Sequence, residues 1–119
     1  MPVNRGDVVL AALPFSDASG SKVRPALVVQ SDRNNYRLQD VIVAVITKTV
    51  KNAPAEPTQL LVDLATPEGR ATNLLHTSAV KCEHLITIDQ RLVRRTIGRL
   101  SPAMMLRVND CLKAALELP

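Results

Sequence analysis

Arg24 and Thr47 are the two residues whose types and positions best suit phosphate chemistry. Arg24 follows a small polar segment and precedes Pro25, which restricts Arg24 to extended backbone. An arginine fixed there can present its planar fork of donors to a phosphate. Thr47 ends an apolar run, where its hydroxyl could bond a phosphate or orient a nucleophile. Each also has a plainer explanation, because surface arginines form ordinary salt bridges and threonine is common at strand ends.

The two histidines, His76 and His84, are the candidate acid–base groups. Histidine at such positions is more often structural or exposed than catalytic. A metal site built on His76, Cys82, Glu83 and His84 is disfavoured, because neighbours in a strand point to opposite faces. The sequence has no Gly-rich phosphate loop, nucleophile elbow or zinc-ligand cluster. We therefore expect neither a metal nor another cofactor.

The charge balance favours an anionic partner. The formal net charge is +4, and the cations concentrate in two blocks, residues 22–51 and 81–107. An ordinary basic surface would show the same excess. Aromatic residues make up only 2% of the chain, so binding by base stacking is limited to Phe15 and Tyr36.

The elements that must position these residues are mostly strands. Apolar, β-branched runs predict strands at residues 7–13, 25–30, 40–49, 58–64, 75–88 and 95–100. A small polar loop is predicted at 16–21, and turns at 32–35, 51–57 and 65–70. The run at 40–49 is apolar on both faces, which predicts a central strand covered on both sides.

The C-terminal segment changes to helical period. Ser101 suits an N-cap and Pro102 a first helical position, and apolar residues then recur at helical spacing. Short strands followed by one helix, without βαβ alternation, predict a mainly β (α+β) fold, as a curled antiparallel sheet or small barrel.

Length and cysteine content suit one cytosolic domain. The 119 residues predict a single domain spanning 1–119. Two widely separated cysteines, Cys82 and Cys111, indicate buried thiols in a reducing compartment. The sequence shows no N-terminal signal and no apolar stretch near the ~18 residues that span a bilayer. We therefore expect a cytoplasmic protein that does not enter a membrane.

Four segments together resemble the MazF/PemK family of toxin–antitoxin ribonucleases. They are "RGDVVLAALPF" at the start, a Gly/Ser loop, "RPALVVQSD" and "VIVAVIT", in that order and spacing. The later "EHLITIDQRLV", "IGRLS" and the final helix are also similar to that family. The likeness covers nearly the whole chain.

The resemblance implies an SH3-like barrel that forms a homodimer and cuts single-stranded RNA within a short motif without a metal. Arg24 and Thr47 fall on the family's catalytic arginine and threonine. The 2′-hydroxyl would attack phosphorus, leaving a 2′,3′-cyclic phosphate and a 5′-hydroxyl. A cognate antitoxin with an acidic C-terminal tail would inhibit the enzyme. The expected RNA-binding residues are Ser21, Lys22, Lys48, Lys51, Glu83 and His84.

The chain departs from the family pattern at two places. The first loop, "SDASGSKV", lacks the glutamate that relatives often carry, and His84 and Ile86 stand where relatives often have glutamine and arginine. Two other functions stay open at this point: a non-catalytic toxin of the same fold that binds DNA gyrase, as CcdB-like proteins do, and a plain RNA-binding barrel.

Overall fold

Six strands and three helices make up the part of the chain that the computed structural model describes, residues 2–14 and 21–119, with backbone only at Ser21. The strands are β1 (Asp7–Pro14), β2 (Ser21–Val28), β3 (Asp40–Thr47), β4 (Gln59–Val62), β5 (Ser78–Asp89) and β6 (Val93–Arg99). The helices are α1 (Asp32–Arg37), α2 (Pro67–Arg70) and α3 (Pro102–Leu116), and a 3-10 turn spans Gln90–Leu92.

The strands form one antiparallel sheet in the order β4-β5-β3-β2-β1-β6. The sheet bends within β5. Between Ala44 and Val45, one step along β3, the partner on β5 changes from Leu85 to Lys81, so residues 82–84 are left out of the register with β3. Such an irregularity increases local twist and bends the strand. The predicted mainly β fold, a curled antiparallel sheet with a C-terminal helix, is confirmed.

The sheet buries apolar residues on both faces. One cluster includes Leu27, Ala44 and Ile46 and packs against α3. The other lies on the opposite face and includes Val41 and Val43. Because β3 contributes to both clusters and lies third in the sheet, its predicted central position is confirmed.

Helix α3 begins as the sequence predicts. The Ser101 Oγ accepts a hydrogen bond from the Met104 amide at 3.1 Å, and Pro102 occupies the first turn. Val108 and Cys111 are buried against the sheet, and the helix ends at Glu117, whose φ of 57° is left-handed. None of the described helices is long and apolar enough to span a membrane.

The turn predicted at residues 32–35 is wrong, because α1 forms there. Ser31 caps this helix, its Oγ accepting from the Asn34 amide. The buried Asn35 side chain donates to the Gln30 carbonyl at 3.1 Å and accepts from the Gln30 side chain at 3.0 Å. The Gln90 side chain, 55 residues further on, also donates to the Asn35 carbonyl at 2.8 Å, and a local pattern does not reveal that contact.

The starts of two strands differ from the prediction by three or more residues. Strand β2 starts at Ser21 rather than Pro25, and β5 starts at Ser78 rather than Leu75. Residues 65–70, predicted as a turn, contain the short helix α2, which Thr66 caps through its Oγ. Most of the loop predicted at 16–21 lies outside the described residues.

The predicted burial of both cysteines is confirmed. Cys82 and Cys111 are free thiols in the cluster between β5 and α3. Burial, followed by the nearby Cys111, raises the pKa of the Cys82 thiol from 9.0 to about 12. The folded state therefore holds the thiol proton more tightly than the unfolded state. The contribution of this group to the free energy of unfolding is fully present below about pH 9 and is lost as the pH rises from about 9 towards 12.

We expect the native protein to resist thiol alkylation. The thiolate is the reactive form, so modification by iodoacetamide near pH 8 should be at least about 100-fold slower than in guanidinium-unfolded protein. Mass spectrometry of timed samples measures both rates. Rapid modification of both thiols in the folded protein would contradict the buried placement of this pair.

Candidate active site

The register of the sheet brings Arg24 and Thr47 together. Ala26 of β2 lies opposite Val45 of β3 in an antiparallel pair. Two residues further along each strand, Arg24 and Thr47 lie just beyond the last described pair of this ladder. Both residues line one cleft of about 800 Å³.

Arg24 lies inside a strand, not at the loop–strand junction that the sequence predicts. It is the fourth residue of β2 and pairs with Ala11 of β1. Pro25 pairs with Leu10, while its missing N–H leaves it unable to donate to either neighbouring strand. The described pairing between β2 and β3 extends only to Ala26 and Val45. The exposed Arg24 therefore stands where the two strands stop bonding and the cleft opens.

Thr47 is held by two neighbours. It pairs with Ala79 of β5, and its Oγ1 accepts a hydrogen bond from the Thr49 amide at 3.1 Å. A hydroxyl has two acceptor lone pairs and one donor hydrogen. Because the amide of Thr49 uses only a lone pair, the O–H of Thr47 can still donate to a phosphate oxygen.

The cleft carries positive charge. Its described lining includes the cations Arg24, Lys48 and Arg95 and no carboxylate. The other described lining residues are Leu10, Val23, Pro25, Ile46, Thr47, Thr49, Asn73, Leu74, Leu75, His76, Ser78, Thr96 and Ile97. Three cations around one concave surface attract and orient an anion. Nowhere in residues 2–14 and 21–119 do three His, Cys, Asp or Glu side chains come together as a metal-binding group.

Of the predicted RNA-binding residues, Lys48 lines the cleft with Arg24 and Thr47. Lys22 is exposed on β2, and Lys51 is exposed in the turn after β3. Neither belongs to the described lining of the cleft. Ser21 begins β2, where its backbone pairs with Pro14.

Glu83 and His84 lie in the stretch of β5 that is out of register with β3, and neither lines the cleft. Both are exposed. The Glu83 carboxylate accepts a hydrogen bond from the Gln59 side chain at 2.7 Å. Partial burial opposes ionisation, but the hydrogen bonds from Gln59 and its neighbours hold the pKa of Glu83 below its ordinary value. Contact of Glu83 and His84 with RNA stays a prediction.

The segment 71–77 supplies cleft residues that the sequence did not place there. It contributes Asn73, Leu75 and His76, and it packs against β6, where the Asn73 side chain donates to the Ile97 carbonyl at 2.6 Å. A Cβ built on Gly98 would lie 2.4 Å from the Thr72 carbonyl oxygen, so this approach requires glycine. A long-range contact of this kind leaves no periodic signal in the sequence.

Comparison with known proteins places this geometry in a family. A model of the PemK-like, MazF-like toxins of type II toxin–antitoxin systems matches residues 4–116. The chain belongs to this family. The resemblance inferred from the sequence motifs is therefore confirmed.

Proteins named as endoribonucleases are similar to this chain over nearly their whole length. Endoribonuclease EndoA of Bacillus subtilis (strain 168) is 33% identical over 119 residues, covering 99% of this chain and 97% of the relative. Endoribonuclease MazF of Staphylococcus epidermidis is 31% identical over 117 residues, covering 98% of this chain and 92% of the relative. A mycobacterial endoribonuclease solved in complex with its cognate antitoxin has a TM-score of 0.79 at 25% identity, covering 98% of this chain and 97% of that one.

Proposed function

We propose that this protein is the toxin of a type II toxin–antitoxin pair and a sequence-specific endoribonuclease acting on single-stranded RNA, chiefly messenger RNA. Family membership and the two curated endoribonuclease relatives support the activity. The observation that carries the proposal is the meeting of Arg24 and Thr47 in one cation-lined cleft.

The reaction we propose is attack of the ribose 2′-hydroxyl on the adjacent phosphorus. The 2′-oxygen forms a bond to phosphorus while the bond to the 5′-oxygen breaks, leaving a 2′,3′-cyclic phosphate and a 5′-hydroxyl. Negative charge collects on the equatorial oxygens of the five-coordinate transition state. The Arg24 guanidinium meets this charge with two donors, an interaction that is strongest when the charge develops.

Thr47 holds the scissile phosphate in line. Its O–H donates to a phosphate oxygen while the Thr49 amide fixes the orientation of the hydroxyl. Positioning of this kind can supply a large part of the rate of a reaction within one substrate. Lys48 and Arg95 neutralise neighbouring phosphates. Because Arg24 supplies the charge, we propose that no metal is required.

An acidic antitoxin tail fits the same cleft. Cations line it beside apolar residues, among them Leu75, which is 88% exposed. The acidic side chains of an amphipathic segment would pair with the cations, and its apolar side chains would pack on the apolar residues. A related endoribonuclease was solved with its cognate antitoxin. We also propose that the toxin is a homodimer and acts in the cytoplasm, where messenger RNA is present.

The experiment is a gel assay on a long single-stranded RNA in the presence of a chelator. We expect discrete cuts by the wild type, and products ending in 2′,3′-cyclic phosphate and 5′-hydroxyl. Thr47→Val keeps the shape of the side chain but removes the hydroxyl, so we expect the rate to fall roughly 10–100-fold, the cost of one charge-assisted hydrogen bond.

Two results would contradict this assignment. If the wild type leaves RNA intact, the endoribonuclease assignment is wrong. Gyrase-dependent DNA breaks caused by such a protein would favour the CcdB-like alternative. Wild-type activity in Thr47→Val would instead contradict only the proposed role of Thr47.

A further inference from the structure

We propose that His76 is the general acid of the reaction and protonates the 5′-oxygen as it leaves phosphorus. This inference rests on the proposed endoribonuclease function and assigns the protonation of the leaving 5′-oxygen to His76 rather than to Arg24. It comes from the position of His76 in the cleft and from the chemistry of the other residues that line it.

The fold holds His76 in the lining of the cleft. The residue lies in the segment 71–77, two residues before β5 begins at Ser78. Its carbonyl accepts a hydrogen bond from the Ser78 Oγ at 2.7 Å, which fixes its backbone at the strand end. On the other side of His76, Asn73 ties the segment to β6 through the Ile97 carbonyl. His76 is itself exposed, and it lines the same cleft as Arg24 and Thr47.

The other described polar residues of the cleft are poor proton donors. Arginine side chains are not deprotonated in proteins, so a guanidinium is a poor general acid. An alkylammonium releases its proton only well above neutral pH, and a threonine hydroxyl is a weaker acid still. Imidazole is the side chain that gives up and regains a proton near neutral pH.

The charges around His76 suit an acid that acts next to phosphate. Arg24 on β2, Lys48 after β3 and Arg95 on β6 are the charged groups among the described residues lining the cleft, and all three are cations. These cations draw the phosphates of a substrate into the cleft that His76 lines.

The step balances without any further reactant. The 2′-hydroxyl loses its proton to water as the 2′-oxygen bonds to phosphorus. The bond from phosphorus to the 5′-oxygen breaks, its electron pair stays on that oxygen, and the imidazolium of His76 transfers a proton to it. The neutral imidazole then regains a proton from hydronium in solvent.

The test uses the leaving group itself. Two oligonucleotides carry the same cleavage motif, one with the natural 5′-oxygen and one with a bridging 5′-sulfur at the scissile bond. A thiolate leaves without protonation. We expect His76→Gln to lower kcat on the oxygen substrate by roughly 10²–10⁴-fold, the usual contribution of general acid catalysis, with KM nearly unchanged. On the sulfur substrate the variant should match the wild type.

Arg24→Ala is the matched control, because the transition state carries charge with either leaving group and the variant should slow both reactions. Equal slowing of both substrates by His76→Gln would overturn the general-acid role, and so would full activity on the oxygen substrate. If the wild type cuts neither the oxygen nor the sulfur substrate, the proposed endoribonuclease function itself is wrong. Because His76 is exposed, thermal unfolding of His76→Gln should match that of the wild type.

Discussion

Replacing Arg24 with alanine is expected to lower kcat/KM for RNA cleavage by roughly 10²–10³-fold, or about 2.7–4 kcal/mol of transition-state stabilisation, the cost of removing one preorganised donor. The loss is large because Arg24 lies where β2 and β3 stop pairing and lines the same cleft as Thr47. Single-turnover kinetics on an oligonucleotide carrying the cleavage motif measure the effect.

Two variants separate the shape of the side chain from its charge. Arg24→Lys keeps a cation but loses the planar fork, so we expect activity between that of the wild type and the alanine variant. Arg33→Ala removes an exposed arginine of α1 that does not line the cleft, and it should cleave like the wild type. Equal losses in Arg24→Ala and Arg33→Ala would show that only net charge matters and would contradict the assigned site.

Gly98→Ala is expected to destabilise the fold by about 1–3 kcal/mol or more, because the new methyl group has no space. The Cβ would lie 2.4 Å from the Thr72 carbonyl oxygen and 2.7 Å from that of Ala71. Both are backbone atoms, so a side-chain rotation cannot relieve the contact. The melting temperature should fall by roughly 5–15 °C, as followed by circular dichroism.

A matched control for Gly98→Ala adds one atom at an open position. Ala114→Ser lies on the exposed side of α3 and should change the free energy of unfolding by no more than about 0.5 kcal/mol. If Gly98→Ala melts like this control, the segment 71–77 does not pack on β6 as described. The same variant should also lose cleavage activity at temperatures where it stays folded, because the displaced segment carries His76.

The sequence predicted the elements whose signals are local. The two-sided apolar run identified β3 as a central strand, and Ser101 with Pro102 marked the start of α3. Helix α1 was missed because its six residues are too few to show a periodic apolar pattern, and because the Gln90 side chain that bonds the Asn35 carbonyl is 55 residues away. The strands that begin at Ser21 and Ser78 were misjudged because pairing partners, not composition, set their ends.

The candidate site was only partly predictable for the same reason. Arg24 and Thr47 were chosen for their chemistry and by resemblance, and the strand register explains why residues so far apart in the sequence meet. The position of His76 depends on a segment that crosses to β6 and closes against Gly98. No pattern within residues 71–77 encodes that contact. Glu83 and His84 lie in a stretch of β5 where simple alternation no longer tells which way a side chain points.

The interruption in β5 is a place where this chain can change without disturbing the pairing of β3 with β5. Residues 82–84 have no partner on β3, so a different side chain at Glu83 or His84 leaves that ladder of hydrogen bonds intact. Arg24 pairs with Ala11 of β1, and Thr47 pairs with Ala79 of β5. Substitutions at the exposed Glu83 and His84 should therefore cost little stability, whereas the fold constrains the backbone of the reactive pair.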